Sequence, residues 1–505
     1  MSFASIGSTH AIRLLISWIW SASKLLSLIA NRDGFRLAFM SLRFMVFAVG
    51  GLYCSALFAQ PVLDNRKIDG YRGIWFTLGQ YSKYGDKYSG GLGTYTAKHR
   101  PLAIYSAESN KTFFVYGGTT QKDEKRLLCM ISYYDHETHS VPKPTVVVDK
   151  IDVIDPHDDP SLAIDKEGYI WVFVSGRAKK RPGFKYRSDR PYSIDSFVKV
   201  TEEEMTYPQP LWDNREGFFN FFTKYTGVRE LYYETSEDGV VWSDDAKLAG
   251  IVEPGTMKSG HYQVSGQRNG VVCTFFNRHP NGVVDKRTDL YYAQSKDRGR
   301  TWTTIEGKEL GVPMTTVDCG ARVIDYASQG KNVYLKDLNF DSDGNPVCLY
   351  ITSDGHEPGP QNGRREWWVT RYRDGEWMKS LVCSSDHNYD MGSLYMEGSR
   401  WAVIAPTGSG PQLYQSGGDV VRWVSEDLGM SWKLASMITR DSPRNHNYVR
   451  RPVNARDPFY SFWADGDPAE FSESLLYFSN SDGSRVFQLP YTMSDASERP
   501  MRITP

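Results

Sequence analysis

Ten histidines are spread through this 505-residue chain, and six of them stand at joints between apolar runs rather than inside them. His99 follows a Gly/Tyr-rich stretch. The other five lie in Asp155-Pro156-His157-Asp158-Asp159, Gly260-His261-Tyr262, Asn277-Arg278-His279-Pro280, Ser385-Asp386-His387-Asn388-Tyr389-Asp390 and Arg444-Asn445-His446-Asn447-Tyr448. A neutral imidazole takes a proton near neutral pH, and its charged form gives one. Arginine offers a planar fork to a carboxylate, and Arg287, Arg322, Arg450 and Arg451 are candidates for that task. Tyrosine rings stack on sugar faces and also donate a hydrogen bond. The expected catalytic residues are His99, His261 and His387. Expected substrate contacts are Tyr95, His157, Tyr262, His279, Arg287 and Arg322, with Tyr389, Asp390, His446, Arg450 and Arg451. Glycoside hydrolysis ordinarily uses two carboxylates. Asp318, Asp325, Asp337, Asp390, Glu397 and Asp465 could supply them, and the sequence does not pair them.

Residues so far apart meet only if repeated elements bring their joints to one axis. The repeat is visible. Ser295-Lys296-Asp297-Arg298-Gly299-Arg300-Thr301-Trp302 returns as Ser425-Glu426-Asp427-Leu428-Gly429-Met430-Ser431-Trp432. A version shorter by one residue runs Ser236-Glu237-Asp238-Gly239-Val240-Val241-Trp242. Each follows an aromatic, alternating run such as Leu290-Tyr291-Tyr292. Asp or Ser can close the turn on backbone amides, Gly takes the positive φ, and Trp packs as the next strand begins. The pattern resembles the Asp-box of sialidase-like β-propellers. Its copies stand 60 and 130 residues apart, measured between the tryptophans. That spacing suits four-stranded blades with long insertions. The expected fold is all-β: a single β-propeller of seven four-stranded blades with Asp-box turns, six being the alternative count.

Composition narrows the function. The formal net charge is -1, which gives no argument for nucleic acid or an anionic membrane. Tyr 31, Phe 24 and Trp 14 favour β-structure and a glycan-binding surface. Of six cysteines, Cys54 lies near the N-terminus, and Cys129, Cys273 and Cys348 sit in apolar runs as small hydrophobes, so no disulfide framework is indicated. No cofactor is required. A structural calcium or zinc ion is left open, since Asp155, His157, Asp158 and Asp159 are dense ligands without a calcium-loop spacing. Asp341-Ser342-Asp343-Gly344-Asn345 reads as a plain turn.

Residues 1–59 form a leader. An apolar run from Phe44 follows Arg43 and ends at Leu57-Phe58-Ala59, in the manner of a secretory signal peptide, with Met40 as an alternative start. The protein is then expected to be secreted or periplasmic, with no membrane contact after cleavage. Residues 60–70 read as a linker, 71–492 as the propeller and 493–505 as a C-terminal tail.

Several longer segments carry a more specific resemblance. They include Gly70-Tyr71-Arg72-Gly73-Ile74-Trp75, Lys87-Tyr88-Ser89-Gly90-Gly91-Leu92 and Ser385-Asp386-His387-Asn388-Tyr389-Asp390-Met391-Gly392-Ser393-Leu394-Tyr395. Val449-Arg450-Arg451-Pro452-Val453-Asn454-Ala455 and Phe462-Trp463-Ala464-Asp465-Gly466 belong with them. Here the chain resembles secreted bacterial proteins of the BNR-repeat family, fourth type. The resemblance implies a seven-bladed propeller acting on uronate-bearing glycans, by one of two chemistries. One is hydrolysis of rhamnose from glucuronate by a single histidine near the propeller's start. His99 matches it, although Lys98 stands where that group has Gln. The other is ulvan-type elimination with two histidines about twenty residues apart. His157 matches the first, whereas Ser175-Gly176-Arg177 offers no second. Hydrolysis of a uronate- or rhamnose-containing polysaccharide or oligosaccharide is the leading expectation. A lyase and a non-catalytic glycan-binding propeller are the alternatives.

Overall fold

The computed structural model describes residues 61–74, 79–86, 93–121, 124, 126–153, 155–469 and 473–503. The leader, Met40, Trp75 and the Lys87–Leu92 motif lie outside the described residues. The remainder is all-β and forms seven successive sheets, the blades of a propeller. The first strands of the blades are Ala103–Ser106, Pro160–Ile164, Thr206–Asp213, Gln263–Arg268, Asn332–Phe340, Ser393–Glu397 and Asn445–Arg450. Each lies at one end of its sheet, innermost in the ring, and the chain then steps outward by antiparallel pairing. The expected seven is observed.

The blades are not uniformly four-stranded. In chain order the sheets hold five, four, four, six, four, four and five strands. Two of the four additions come from segments read as linker and tail, and the other two belong to an insertion in blade four. Val62–Leu63 pairs with Thr145–Asp149 on the outer edge of blade one. Met501–Ile503 pairs with Val486–Gln488 on the outer edge of blade seven. Both segments cover strand edges that would otherwise present unpaired backbone groups. Among the described residues no blade is assembled from both termini. Instead Val453 beside blade seven and Ala103–Tyr105 of blade one exchange backbone hydrogen bonds of 2.9 Å, closing the ring. The tail also crosses to blade one, where Ser497–Glu498 pairs with Val141–Pro142.

Middle strands are apolar on both faces because each sheet is covered by the next. Gly217–Lys224, with four phenylalanines in eight residues, is buried over seven of them. The three Asp-Gly turns link third and fourth strands of blades three, four and six. In the second, Ser295 Oγ accepts from Gly299 N at 2.8 Å and Asp297 Oδ1 accepts from Thr301 N at 2.9 Å. Gly299 has φ 80°, the left-handed conformation a glycine tolerates. Asp341 Oδ1 likewise accepts from Asp343 N and Asn345 N, the plain turn expected there.

The closing seam is aromatic. Phe114 of blade one lies 5.2 Å from Phe459 and 5.1 Å from Phe462, centroid to centroid, and Phe459 stacks on Phe478 at 4.5 Å. All four are fully buried. Replacing Phe462 with Ala is therefore expected to cost ~3–5 kcal/mol of stability. The check is the midpoint of thermal unfolding; an unchanged midpoint would show that this seam does not hold the ring shut.

Candidate active site

The start of each innermost strand faces the same end of the axis. There Tyr95, His157, Tyr207, Tyr262, Lys336, Tyr389 and Tyr448, one from each blade in turn, line a single cavity. Lys98, Arg287 and Tyr334 complete its polar wall. Its free volume is about 40 Å³, room for one charged substrate group rather than a whole sugar chain. No Asp or Glu is among the described residues that line it.

Tyr207 and Tyr448 reach the axis through local irregularity. Each has φ 55°, and pairing slips beside each, between Thr206 and Gln209 and between Asn447 and Arg450. Such bulges re-aim a side chain, and positive φ in a tyrosine is the kind of strain that collects at working sites.

On one wall the Tyr95 hydroxyl lies 3.2 Å from His157 Nε2, and His157 Nδ1 lies 2.5 Å from Asp155 Oδ1. Asp155 accepts, so Nδ1 carries the proton and Nε2 accepts from Tyr95. Asp155 Oδ2 is held by Arg177 at 2.6 Å and Arg181 at 2.8 Å. Burial alone would raise the Asp155 carboxyl, but His157 and the two guanidiniums hold it well below the usual range. Burial keeps His157 neutral, against the pull of Asp155. Burial also raises the Tyr95 phenol well above its ordinary value.

The opposite wall is cationic. The Arg287 guanidinium sits 4.6, 4.7 and 5.1 Å from the ring centres of Tyr262, Tyr334 and Tyr389, and donates to the Tyr389 hydroxyl. Lys98 donates to Leu335 O at 3.3 Å and lies 5.2 Å from the Tyr262 ring centre, and burial, with Arg287 and Lys336 beside it, pushes it well below the usual lysine value. Lys336 donates to Asn388 O at 2.7 Å. Burial brings Lys336 down to about 7, with Asp390 pulling up and Arg287 pushing down. Burial raises Tyr262, yet Arg229, Arg287 and a hydrogen bond with Tyr207 outweigh it and leave the phenol below its ordinary value. Tyr207 moves the other way, raised by burial and by Tyr262. Two phenols in one cavity, Tyr95 high and Tyr262 low, are a separated acid and base.

The sequence-matching family model covers residues 112–384 and describes a BNR repeat-containing family member. The chain belongs to the BNR repeat-containing family. No curated protein matches this BNR-repeat protein. Among solved structures, a polysaccharide lyase of family PL25, an ulvan lyase bound to -[GlcA(1-4)Rha3S]-, is 15% identical. The alignment covers 83% of this chain and 96% of that one, with a TM-score of 0.62. The same lyase family without that ligand gives 16% identity, 82% and 96% coverage and a TM-score of 0.63. At these identities the likeness is one of fold.

Of the expected site residues, Tyr95, His157, Tyr262, Arg287 and Tyr389 line the cavity of the BNR-repeat propeller. The three expected catalytic histidines do not. His99 Nε2 donates to His157 O at 3.0 Å and its Nδ1 accepts from Thr96 N at 3.3 Å, and burial takes it down to about 3. His261 accepts from Ile251 N and donates to Asn277 O, both at 2.9 Å, and burial takes it to about 4. His387 accepts from Tyr389 N at 3.1 Å and is fully enclosed, with burial pushing it well down. These rings fasten the loops that carry the cavity wall.

The remaining expected contacts stand behind or away from the cavity. His279 packs edge-on against Tyr262 at 4.8 Å. Asp390 accepts from His387 N and Gly417 N. Arg450 is spent on Thr94 O and His99 O. Arg451 sits lower on the axis, 3.5 Å from Asp337. Arg322 pairs with Asp318 at 2.6 Å on an added edge strand of blade four. His446 lies in a separate hollow of blade seven, 2.9 Å from Ser442. Lys98, Tyr207, Tyr334, Lys336 and Tyr448 were missed. Lys98 left a trace in the sequence as the departure from the family's Gln, and Tyr448 as the last residue of the joint that carries His446.

The five described cysteines are free. Glu203, Glu234 and Asp245 offer oxygens within 4.8 Å of one another, a set that could hold a metal ion. The Lys185 ammonium already lies 2.6 Å from Glu203 and 2.9 Å from Glu234, and Lys224 pairs with Asp245, so protein cations meet this charge. Among the described residues no helix is long and apolar enough to cross a membrane.

Proposed function

We propose that the cavity performs β-elimination beside a uronic acid, making the protein a polysaccharide lyase. The observation that carries this reading is the lining of phenols and cations without a carboxylate. A hydrolase of the usual kind needs two carboxylates, and His99, the expected proton donor for hydrolysis, has both ring nitrogens engaged by backbone. Elimination needs what is present. Arg287 and, below about 7, the Lys336 ammonium take the substrate carboxylate and stabilise the charge that develops on it when C5 loses its proton, and Lys98 adds a hydrogen-bond donor. Tyr262, its phenol lowered, removes that proton. The C5–H electrons form the C4–C5 double bond, and the C4–O bond breaks. Tyr95, held by the Nε2 of the His157 that Asp155 orients, gives its proton to the leaving oxygen and takes one back from water, while Tyr262 releases its proton to water for the next cycle. The substrate class we infer is a glucuronate- and rhamnose-containing glycan, in keeping with the sugar bound to the lyase of the same fold.

The test is ultraviolet absorbance of the unsaturated uronate during digestion of such glycans. A rise supports elimination, reducing sugar without it supports hydrolysis, and binding without either product supports a non-catalytic propeller. Activity should follow a bell-shaped pH profile. Its rising limb belongs to Tyr262, which must lose a proton, and lies below the ordinary phenol range. Lys336 is cationic below about 7 and neutral above it, so KM for the uronate should climb through that region. Lys336→Arg keeps the charge at all these pH values and should flatten the climb. A climb that persists in that variant would remove Lys336 from the binding role.

A further inference from the structure

The innermost strands have a second end. Where they finish, six blades surround a wider hollow of about 490 Å³. That is within the range of ligand pockets. The axis between the two ends is filled. Arg450 bonds to Thr94 O and His99 O there, and His99 bonds across to His157 O. The hollow is therefore a separate place from the tyrosine cavity, and no residue lines both.

Its chemistry is that of a sugar site. Tyr192, Trp212 and Phe340 line it and are partly exposed, so their rings are available as platforms. At its floor Arg100 and Arg451 share one carboxylate, Asp337, at 3.0 and 3.5 Å. That carboxylate also accepts from Leu338 N and Leu394 N. Two guanidiniums on one already saturated acid leave a unit of positive charge. Arg100 Nη1 and Arg451 Nε, both buried, have no hydrogen bond of good geometry. At the rim Arg268 is exposed and makes no ion pair among the described residues. Two acids also line the hollow, the half-buried Asp165 and the exposed Glu108, and each is already engaged by the protein. Asp165 accepts from Tyr169 N and Trp171 Nε1, and Glu108 accepts from Ser106 Oγ.

We propose that this hollow is a second, non-catalytic binding site for an acidic oligosaccharide. The sugar rings lie on Trp212 and Tyr192, and a carboxylate or sulfate is drawn to Arg268 and the Arg100–Arg451 floor. Such a site would hold a polymer to the protein while the opposite end of the axis works on it. The ligand class is argued from these residues and stands apart from the elimination reading.

The experiment uses the full chain carrying Tyr262→Phe, so that the probe is not consumed. It is titrated calorimetrically with a glucuronate–rhamnose tetrasaccharide, its carboxyl-reduced neutral analogue, and inorganic sulfate. Two binding events are expected for the acidic tetrasaccharide. Arg268→Glu and Trp212→Ala, each added separately, should weaken one event at least tenfold and leave the other unchanged. The neutral analogue should lose that event. Arg268 is exposed, so its variant should fold, and the thermal midpoint checks this. Absence of any event that Arg268→Glu and Trp212→Ala weaken, whether the parent protein shows one event or two, overturns the proposal. Sulfate alone competing as strongly as the tetrasaccharide also overturns it, since the site would then be for a simple anion. Turnover by the wild-type protein is scored in parallel. Its absence would sink the lyase reading and leave the titration interpretable.

Discussion

Replacing Tyr262 with phenylalanine is expected to lower kcat about 10²–10⁴-fold, the usual weight of a positioned proton-transfer group. KM should change little. The ring stays, and with it the contact to Arg287 at 4.6 Å and to His279 at 4.8 Å. Only the hydroxyl is lost, together with the hydrogen bond to Tyr207. The substitution should also remove the rising limb of the pH profile, because that limb reports the proton Tyr262 must release. Elimination is followed by product absorbance at several pH values. A variant that keeps more than a tenth of its turnover, or keeps the limb, would assign the base elsewhere, with His157 next in line because its Nε2 already faces a phenol at 3.2 Å.

The second large effect is expected at Arg287. Arg287→Met should reduce kcat/KM about 10²–10³-fold, the scale seen when one charge-stabilising donor is removed. Two losses combine. The substrate carboxylate loses its only guanidinium among the cavity-lining residues. Tyr262 also loses one of the three arginines, Arg229, Arg287 and Arg177, that hold its phenol down, so its pH limb should move upward. Arg287→Lys should restore charge without the three-ring packing or the bond to Tyr389, and recovery should be partial. The measurement is the full pH profile of kcat/KM for each variant. An unshifted limb in Arg287→Met would separate Arg287 from Tyr262 and overturn this account of the base.

The repeat was legible because it rests on local rules. Ser295, Asp297 and Gly299 make a turn from their own backbone and side chains wherever the chain lies. Alternating runs beside them are strands for similarly local reasons. The blade count followed. The site was legible only in part. Tyr95, His157 and Tyr262 were found because they sit in joints rich in polar residues. Tyr448 stands in the polar joint beside His446, and Tyr207 begins a strand with two prolines that carries no site signal. A bulge with φ 55° turns each toward the axis, and nothing in the residue order announces it. Histidine misled for the converse reason. A joint histidine is as useful for fastening backbone as for moving protons, and His99 and His261 have both nitrogens taken that way.

By itself, then, the sequence determined the repeated strand-and-turn units, their number and the kinds of side chain at their joints. Neighbouring residues suffice to set these, through turn chemistry and the burial of alternating apolar runs. The tertiary structure decided which joints share an end of the axis, which histidines are saturated by backbone and which phenol is held low by arginines. Those outcomes depend on groups more than fifty residues apart in several cases, such as Tyr95 with His157 and Arg287 with Tyr389. Desolvation and charge act through space, and ring closure is what supplies the distances over which they act.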